Sequence, residues 1–120
     1  MGDAVALLFP IDWPEPFGLA VIEAMASGTP VIAFGRGSVP EIIDHGVTGF
    51  IVNDIDEAVA AISLAKALDR VAIRRRFEER FSVERMSRDY LRLYNAVLRR
   101  GTVDAVLSSA AAAQAAANAA

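Results

Sequence analysis

Three short, unbroken apolar runs divide the first half of the chain: Ala4–Phe9, Val31–Phe34 and Phe50–Val52. A strand buried on both faces of a parallel sheet reads this way, whereas a half-solvated strand alternates apolar and polar residues. Between the runs the period becomes helical. From Phe17 to Ser27, Leu19, Ile22 and Ala26 share one face, and Gly28 with Pro30 beyond it supplies stop chemistry. A short helix over Val39–Asp44 carries Pro40 in its first turn, and His45–Gly49 reads as a turn. After the third run, Asn53 or Asp54 can cap a helix over Ile55–Ala67. Two more follow, Asp69–Phe81 and Val83–Arg100, the last with Ser82 as its cap, Gly101 at its C′ position and Met86, Tyr90, Leu93 and Val97 on one face. The order β-α-β-α-β-α with short links predicts an α/β fold, a Rossmann-like parallel sheet with helices on both faces.

Three strands are about half of what an open sheet of this kind usually has. Residues 1–100 therefore read as part of a domain, and 101–120 as an alanine-rich tail, a frayed helix or disordered. The uncovered sheet edge is a route to self-association.

Composition removes several function classes. The chain has no cysteine and one histidine, His45, which excludes a disulfide framework, a thiolate metal site, a cysteine nucleophile and a histidine-based zinc cluster. No apolar run approaches the ~20 residues of a membrane span. No basic segment followed by an apolar stretch opens the chain, so a cytoplasmic location is expected. The net charge of −3 conceals an asymmetry. Residues 1–60 hold nine acids and one base, Arg36; residues 61–120 hold eleven bases and six acids. The arginines are interleaved with Glu78, Glu79, Glu84 and Asp89, as on a solvated helix face. Phe77, Phe81, Tyr90 and Tyr94 read as core positions, so no nucleic-acid partner is expected.

The chemistry-bearing segment is Glu15–Ala26, EPFGLAVIEAMA, which follows a strand and opens a helix. In an open parallel sheet, ligands bind beyond the carboxyl ends of the strands. The N–H groups near Phe17, Gly18 and Leu19 stand at a helix N-terminus and can receive an anion; Gly18 lets a ligand approach the backbone. Glu15 and Glu23, seven residues apart in the E-x7-E sense, are acceptors suited to paired sugar hydroxyls. The alternative is plainer: Glu15 as an acid complementing the helix dipole, and Glu23 as a surface helix residue.

With these residues stand two further blocks, GSVPEIIDHGVTGFIV over Gly37–Val52 and RFEERFSVERMSRDYLRLY near the end. Together they resemble the donor-binding, C-terminal domain of glycosyltransferase family 4 enzymes of the GT-B fold, from about Ala4 to Arg100. The resemblance implies a retaining transfer of a sugar from a nucleotide-diphosphate donor to a glycan, lipid or small-molecule acceptor, with no cofactor and no metal. Carried over to this chain, Glu15 is the catalytic-site residue that holds donor-sugar hydroxyls. Glu23 binds the ribose, and the amides of Phe17, Gly18 and Leu19 meet the diphosphate and sugar. The family's glycine pair appears as Gly37-Ser38, so Gly37, Ser38 and Val39 are candidate loop contacts. Arg36 reads as an anion contact or as a solvated loop residue. The family's diphosphate-binding Arg and Lys, and its acceptor-binding N-terminal domain, have no counterpart in these residues, so the chain alone is expected to be inactive. A non-catalytic module that binds nucleotide sugar, or docks to a partner supplying the missing half-domain, is the alternative.

Overall fold

Residues 1–100 are described by a computed structural model, apart from the side chain of Arg100. They fall into two units, 1–82 and the residues from Val83 onward. The expected tail, 101–120, and the expected C′ role of Gly101 lie outside the described residues.

Each apolar run yields a strand: β1 (Leu7–Phe9), β2 (Val31–Phe34) and β3 (Gly49–Val52). The strands pair in parallel in the order β1-β2-β3, with Leu7 opposite Val31 and Val31 opposite Gly49. Between and after them come α1 (Leu19–Ala26), α2 (Val39–Ile42), α3 (Ile55–Ala65) and α4 (Arg70–Phe81). The expected α/β architecture is therefore the observed one. Because strand side chains alternate, the sheet makes two cores. Leu7, Phe9, Val31, Ala33 and Ile51 join Val21, Met25, Val39, Ile42 and Ile73 on one face. Ile32, Phe34, Phe50 and Val52 meet Ala58, Ala61, Ile62 and Ala65 of α3 on the other.

Two expectations about β1 and α1 need correction. The first run does not give a strand buried on both faces: Leu8 is 55% exposed. Helix α3 packs on β2 and β3, which leaves an apolar groove of ≈ 300 Å³ beside β1, lined by Leu8, Ile32, Val59 and Ile62 among others. Nor does Leu19 face the core. The buried side of α1 is Val21, Ile22, Ala24 and Met25. At 3.6 residues per turn, Glu23 stands opposite the middle of this side and Leu19 about 40° from Glu23; both are exposed.

The caps explain the helix ends. Asp54 accepts the Glu57 N–H at 2.8 Å while Glu57 accepts the Asn53 N–H at 2.8 Å, a reciprocal arrangement at the start of α3. Asp69 accepts the Val71 N–H at 2.9 Å and starts α4. The arginines of α4 do more than line a solvated face. Arg74 pairs with Glu78 but also donates to the Ala26 carbonyl at the end of α1. Arg70 donates to the carbonyls of Gly2 and Ala4. Arg80 holds the carbonyls of Glu41 and Ile42 and the Asp44 carboxylate.

Phe77 and Phe81 pack against the first core, as the sequence suggests. Taken by itself, α5 (Val83–Arg100) is a helix of 18 residues with an Arg85–Asp89 pair at 2.9 Å. Tyr90 and Tyr94 are exposed on it, with ring centroids 6.2 Å apart, contrary to their reading as core positions. Among the described residues, no helix is long and apolar enough to cross a membrane.

Candidate functional site

The loops leaving β1 and β2, residues 10–18 and 35–38, meet at the carboxyl end of the sheet. Their contact is close. Gly37 has φ +58, and a Cβ there would stand 2.2 Å from the Glu15 carbonyl oxygen and 2.4 Å from its nitrogen. Only glycine fits this crossing. The Ser38 N–H donates to the Glu15 carbonyl at 2.8 Å, and the Val39 N–H to the Arg36 carbonyl at 3.3 Å. Val39 itself is fully buried. The structure thus places Gly37 and Ser38 as a brace beneath Glu15.

Glu15 closes the N-terminus of α1. Its Oε1 accepts the Gly18 N–H at 3.0 Å and the Phe17 N–H at 3.3 Å. Gly18 is the N-cap residue, with φ 76, and its carbonyl accepts from Val21 at 3.0 Å and Ile22 at 3.1 Å. A Cβ on Gly18 would lie 2.6 Å from Ile42 Cδ1. The bond from the Gly18 amide holds the Glu15 carboxyl below its ordinary value of 4.5. Partial burial opposes that lowering, while the Phe17 amide and the Trp13 indole add to it. Glu15 is therefore an ionised acceptor at neutral pH, seated at the positive end of the helix.

This changes the expected part of the amides. Phe17 and Gly18 donate to the chain's own carboxylate, as the plainer reading of Glu15 anticipates. Leu19 opens α1, and the first N–H groups of a helix have no partner within it. Phe17, Leu19 and Glu23 are exposed. With Leu19 and Glu23 one turn apart on α1, an exposed ridge runs from the Glu15 loop to Glu23.

Arg36 pairs with Asp12 at 3.5 Å, joining the two loops at their rim, with both side chains more than half exposed. Ser38 Oγ is buried without a hydrogen-bond partner. His45 serves the turn: its Nδ1 accepts the Ile51 N–H at 3.1 Å and its ring stands edge-on to Phe50. Glu41 is exposed on α2, and its carbonyl accepts from Arg80. Among the described residues, no three His, Asp or Glu side chains are grouped as metal ligands. Sequence reasoning missed the crossing of Gly37 over Glu15 and the Asp12–Arg36 pair. Only the glycine itself offered a signal for the first, and the lone base among nine acids for the second.

A family model described as "Glycosyl transferases group 1" matches residues 1–82. The chain belongs to this glycosyltransferase family. Relatives agree with that placement. A D-inositol 3-phosphate glycosyltransferase of Corynebacterium kroppenstedtii is 36% identical over 94 residues, 72% of this chain and 21% of that protein. An N-acetyl-alpha-D-glucosaminyl L-malate synthase of Bacillus anthracis is 34% identical over 93 residues, 71% of this chain and 24% of that protein. A sucrose synthase of Acidithiobacillus caldus is 49% identical over 55 residues, 46% of this chain and 7% of that protein. The chain thus spans about a quarter or less of the length of these relatives. The matched residues of the family end where the first unit ends, at Ser82, and include both loops of the site.

Proposed function

We propose that the site is the donor-sugar end of a family 4 glycosyltransferase of the GT-B fold, and that residues 1–82 supply the C-terminal half of its nucleotide-sugar-binding domain. The observation that carries the reading is the seating of Glu15: an ionised carboxylate fixed by two backbone amides at the carboxyl end of a parallel sheet. A carboxylate has about four acceptor sites. Those not used by Phe17, Gly18 and Trp13 accept hydroxyls of the donor sugar, and the fixed carboxylate needs no reorganisation to do so. Glu23, exposed on the same helix, accepts the paired hydroxyls of the ribose. The diphosphate lies between them near the first N–H of α1 at Leu19. Gly37 and Ser38 act through Glu15 by fixing its backbone, and Val39 anchors their loop in the core.

In this reading, transfer retains the anomeric configuration and uses neither metal nor cofactor. The acceptor, a sugar or lipid, meets a further domain outside these residues, and the reaction belongs to the cytoplasm. These residues bind donor, and turnover requires an acceptor-binding surface beyond them. The test is titration of the chain with a nucleotide-diphosphate hexose, followed by NMR of the backbone amides. Shifts should centre on Phe17–Glu23 and weaken about tenfold in Glu23→Ala, as expected when charged hydrogen bonds to a ligand are lost. Binding unchanged in Glu23→Ala would overturn the ribose assignment. Turnover by the purified chain would overturn its inactivity.

A further inference from the structure

The seating of Glu15 creates an electrostatic demand. Two amides at the head of α1 are spent on a carboxylate. A second anion placed by the remaining N–H groups there also meets that negative charge. A diphosphate of charge about −2 needs a cation close by when no metal serves. The arginines of α4 that reach the body of the fold are committed elsewhere. Arg70 and Arg74 hold carbonyls at Gly2, Ala4 and Ala26, toward the opposite end of α1, and Arg80 holds carbonyls at the end of α2. Arg36 is the single base in residues 1–60. It stands on the loop that crosses Glu15, and among the described residues its charged partner is Asp12, at 3.5 Å and 95% exposed. An exposed pair of this kind is worth little, on the order of 0–1 kcal/mol, so it separates cheaply.

We propose that Arg36 is the residue of this chain that binds phosphoryl oxygens of the donor's diphosphate, and that Asp12 holds the guanidinium at the rim until the anion displaces it. The inference rests on the donor-site reading and deepens it. Arginine suits the task because its planar fork presents two parallel N–H groups to one phosphoryl group. Asp12 is a competitor: with no anion bound it neutralises Arg36, and its removal leaves the cation free for a ligand. The two partners therefore have opposite effects on binding, which a purely structural ion pair does not produce.

The experiment titrates inorganic pyrophosphate into the whole chain, wild type and variants, with binding read from backbone amide shifts. Arg36→Gln should weaken binding about fivefold or more, and Asp12→Asn should tighten it about threefold. Arg75→Gln, on the solvated side of α4, should change it less than about twofold. All effects should shrink as salt rises from about 0.02 to about 0.2 M. Thermal melts should coincide, since both side chains of the pair are exposed. Variants that move binding in the same direction, an Asp12→Asn chain that binds no more tightly than wild type, or no binding by Asp12→Asn at all would each overturn the proposal. Failure of this proposal and failure of the donor-site reading look different. Nucleotide-sugar binding that needs Glu23 but not Arg36 removes Arg36 alone. Pyrophosphate binding that needs Arg36, in a chain whose nucleotide-sugar binding ignores Glu23, removes the ribose assignment and leaves Arg36.

Discussion

The two ends of α1 are held by the same physics with opposite signs. At the carboxyl end, the Ala26 carbonyl is met by Arg74 of α4, and Arg70 beside it ties down the carbonyls of Gly2 and Ala4. At the amino end, the Phe17 and Gly18 amides are met by the Glu15 carboxylate from the adjoining loop. Each charge complements the helix dipole. The partners differ in what they have left. Arg70 puts three of its five N–H donors on two carbonyls and the Thr29 hydroxyl, away from the carboxyl end of the sheet, so that end is a clamp. Glu15 keeps acceptor capacity and sits on the ligand side of the sheet. One end of the helix is closed and the other is primed, and substitutions at the two ends should separate stability from binding.

The largest effect is expected where the two loops cross beneath the primed end. Gly37→Ala places a Cβ 2.2 Å from the Glu15 carbonyl oxygen, at a φ of +58 that a side chain resists. Backbone must move, not a flexible side-chain tip. The cost should be about 3 kcal/mol in urea denaturation, and donor binding should fall with it because Glu15 shifts. Full stability in Gly37→Ala would mean that the two loops are not locked together.

Next comes the closed end. Arg70→Ala removes three donated bonds, at about 1–2 kcal/mol. Donor binding, corrected for the unfolded fraction, should be unchanged. A binding defect in the folded fraction would show that the two ends are coupled and would blunt the contrast between clamp and site.

Some of this was legible in the sequence and some was not, for physical reasons. The run Val31–Phe34 announces β2 because both of its faces are covered, so every residue is apolar. The run Ala4–Phe9 looks the same in one dimension. Whether its second face is covered depends on where α3 lands, and α3 stops over β2 and β3. The E-x7-E block marks the site by type and spacing, and dipole physics allowed Glu15 to cap its own helix. Nothing local says that Gly37 passes over Glu15, since the contact joins loops 22 positions apart. The α4 arginines are read as solvated pairs from i,i+4 spacing. Arg74–Glu78 obeys that rule, while the carbonyls that Arg70, Arg74 and Arg80 reach are set by tertiary packing alone.

The smallest effect is a matter of pH, and it concerns the primed end alone. The folded state holds the Glu15 carboxyl below 4.5. A carboxyl depressed on folding adds stability above its unfolded pKa, and the addition is lost as pH falls through the folded value. Protonation removes the charge that meets the helix dipole and weakens the bonds from Gly18 and Phe17. The slope of stability between neutral pH and the region below 4.5 should therefore be shallower in Glu15→Gln than in wild type, because the amide cannot titrate. The group is open to solvent, so the difference is small and best read as a shift of the Gly18 and Phe17 amide resonances with pH. In wild type both should titrate together with a midpoint under 4.5; in Glu15→Gln neither should. The pH response of the Ser27 amide, at the closed end of α1, should be the same in wild type and Glu15→Gln, because Glu15 does not reach that end. A Ser27 response that is lost together with that of Gly18 in Glu15→Gln would mean that the helix responds as one rigid body and that its two ends are not independent.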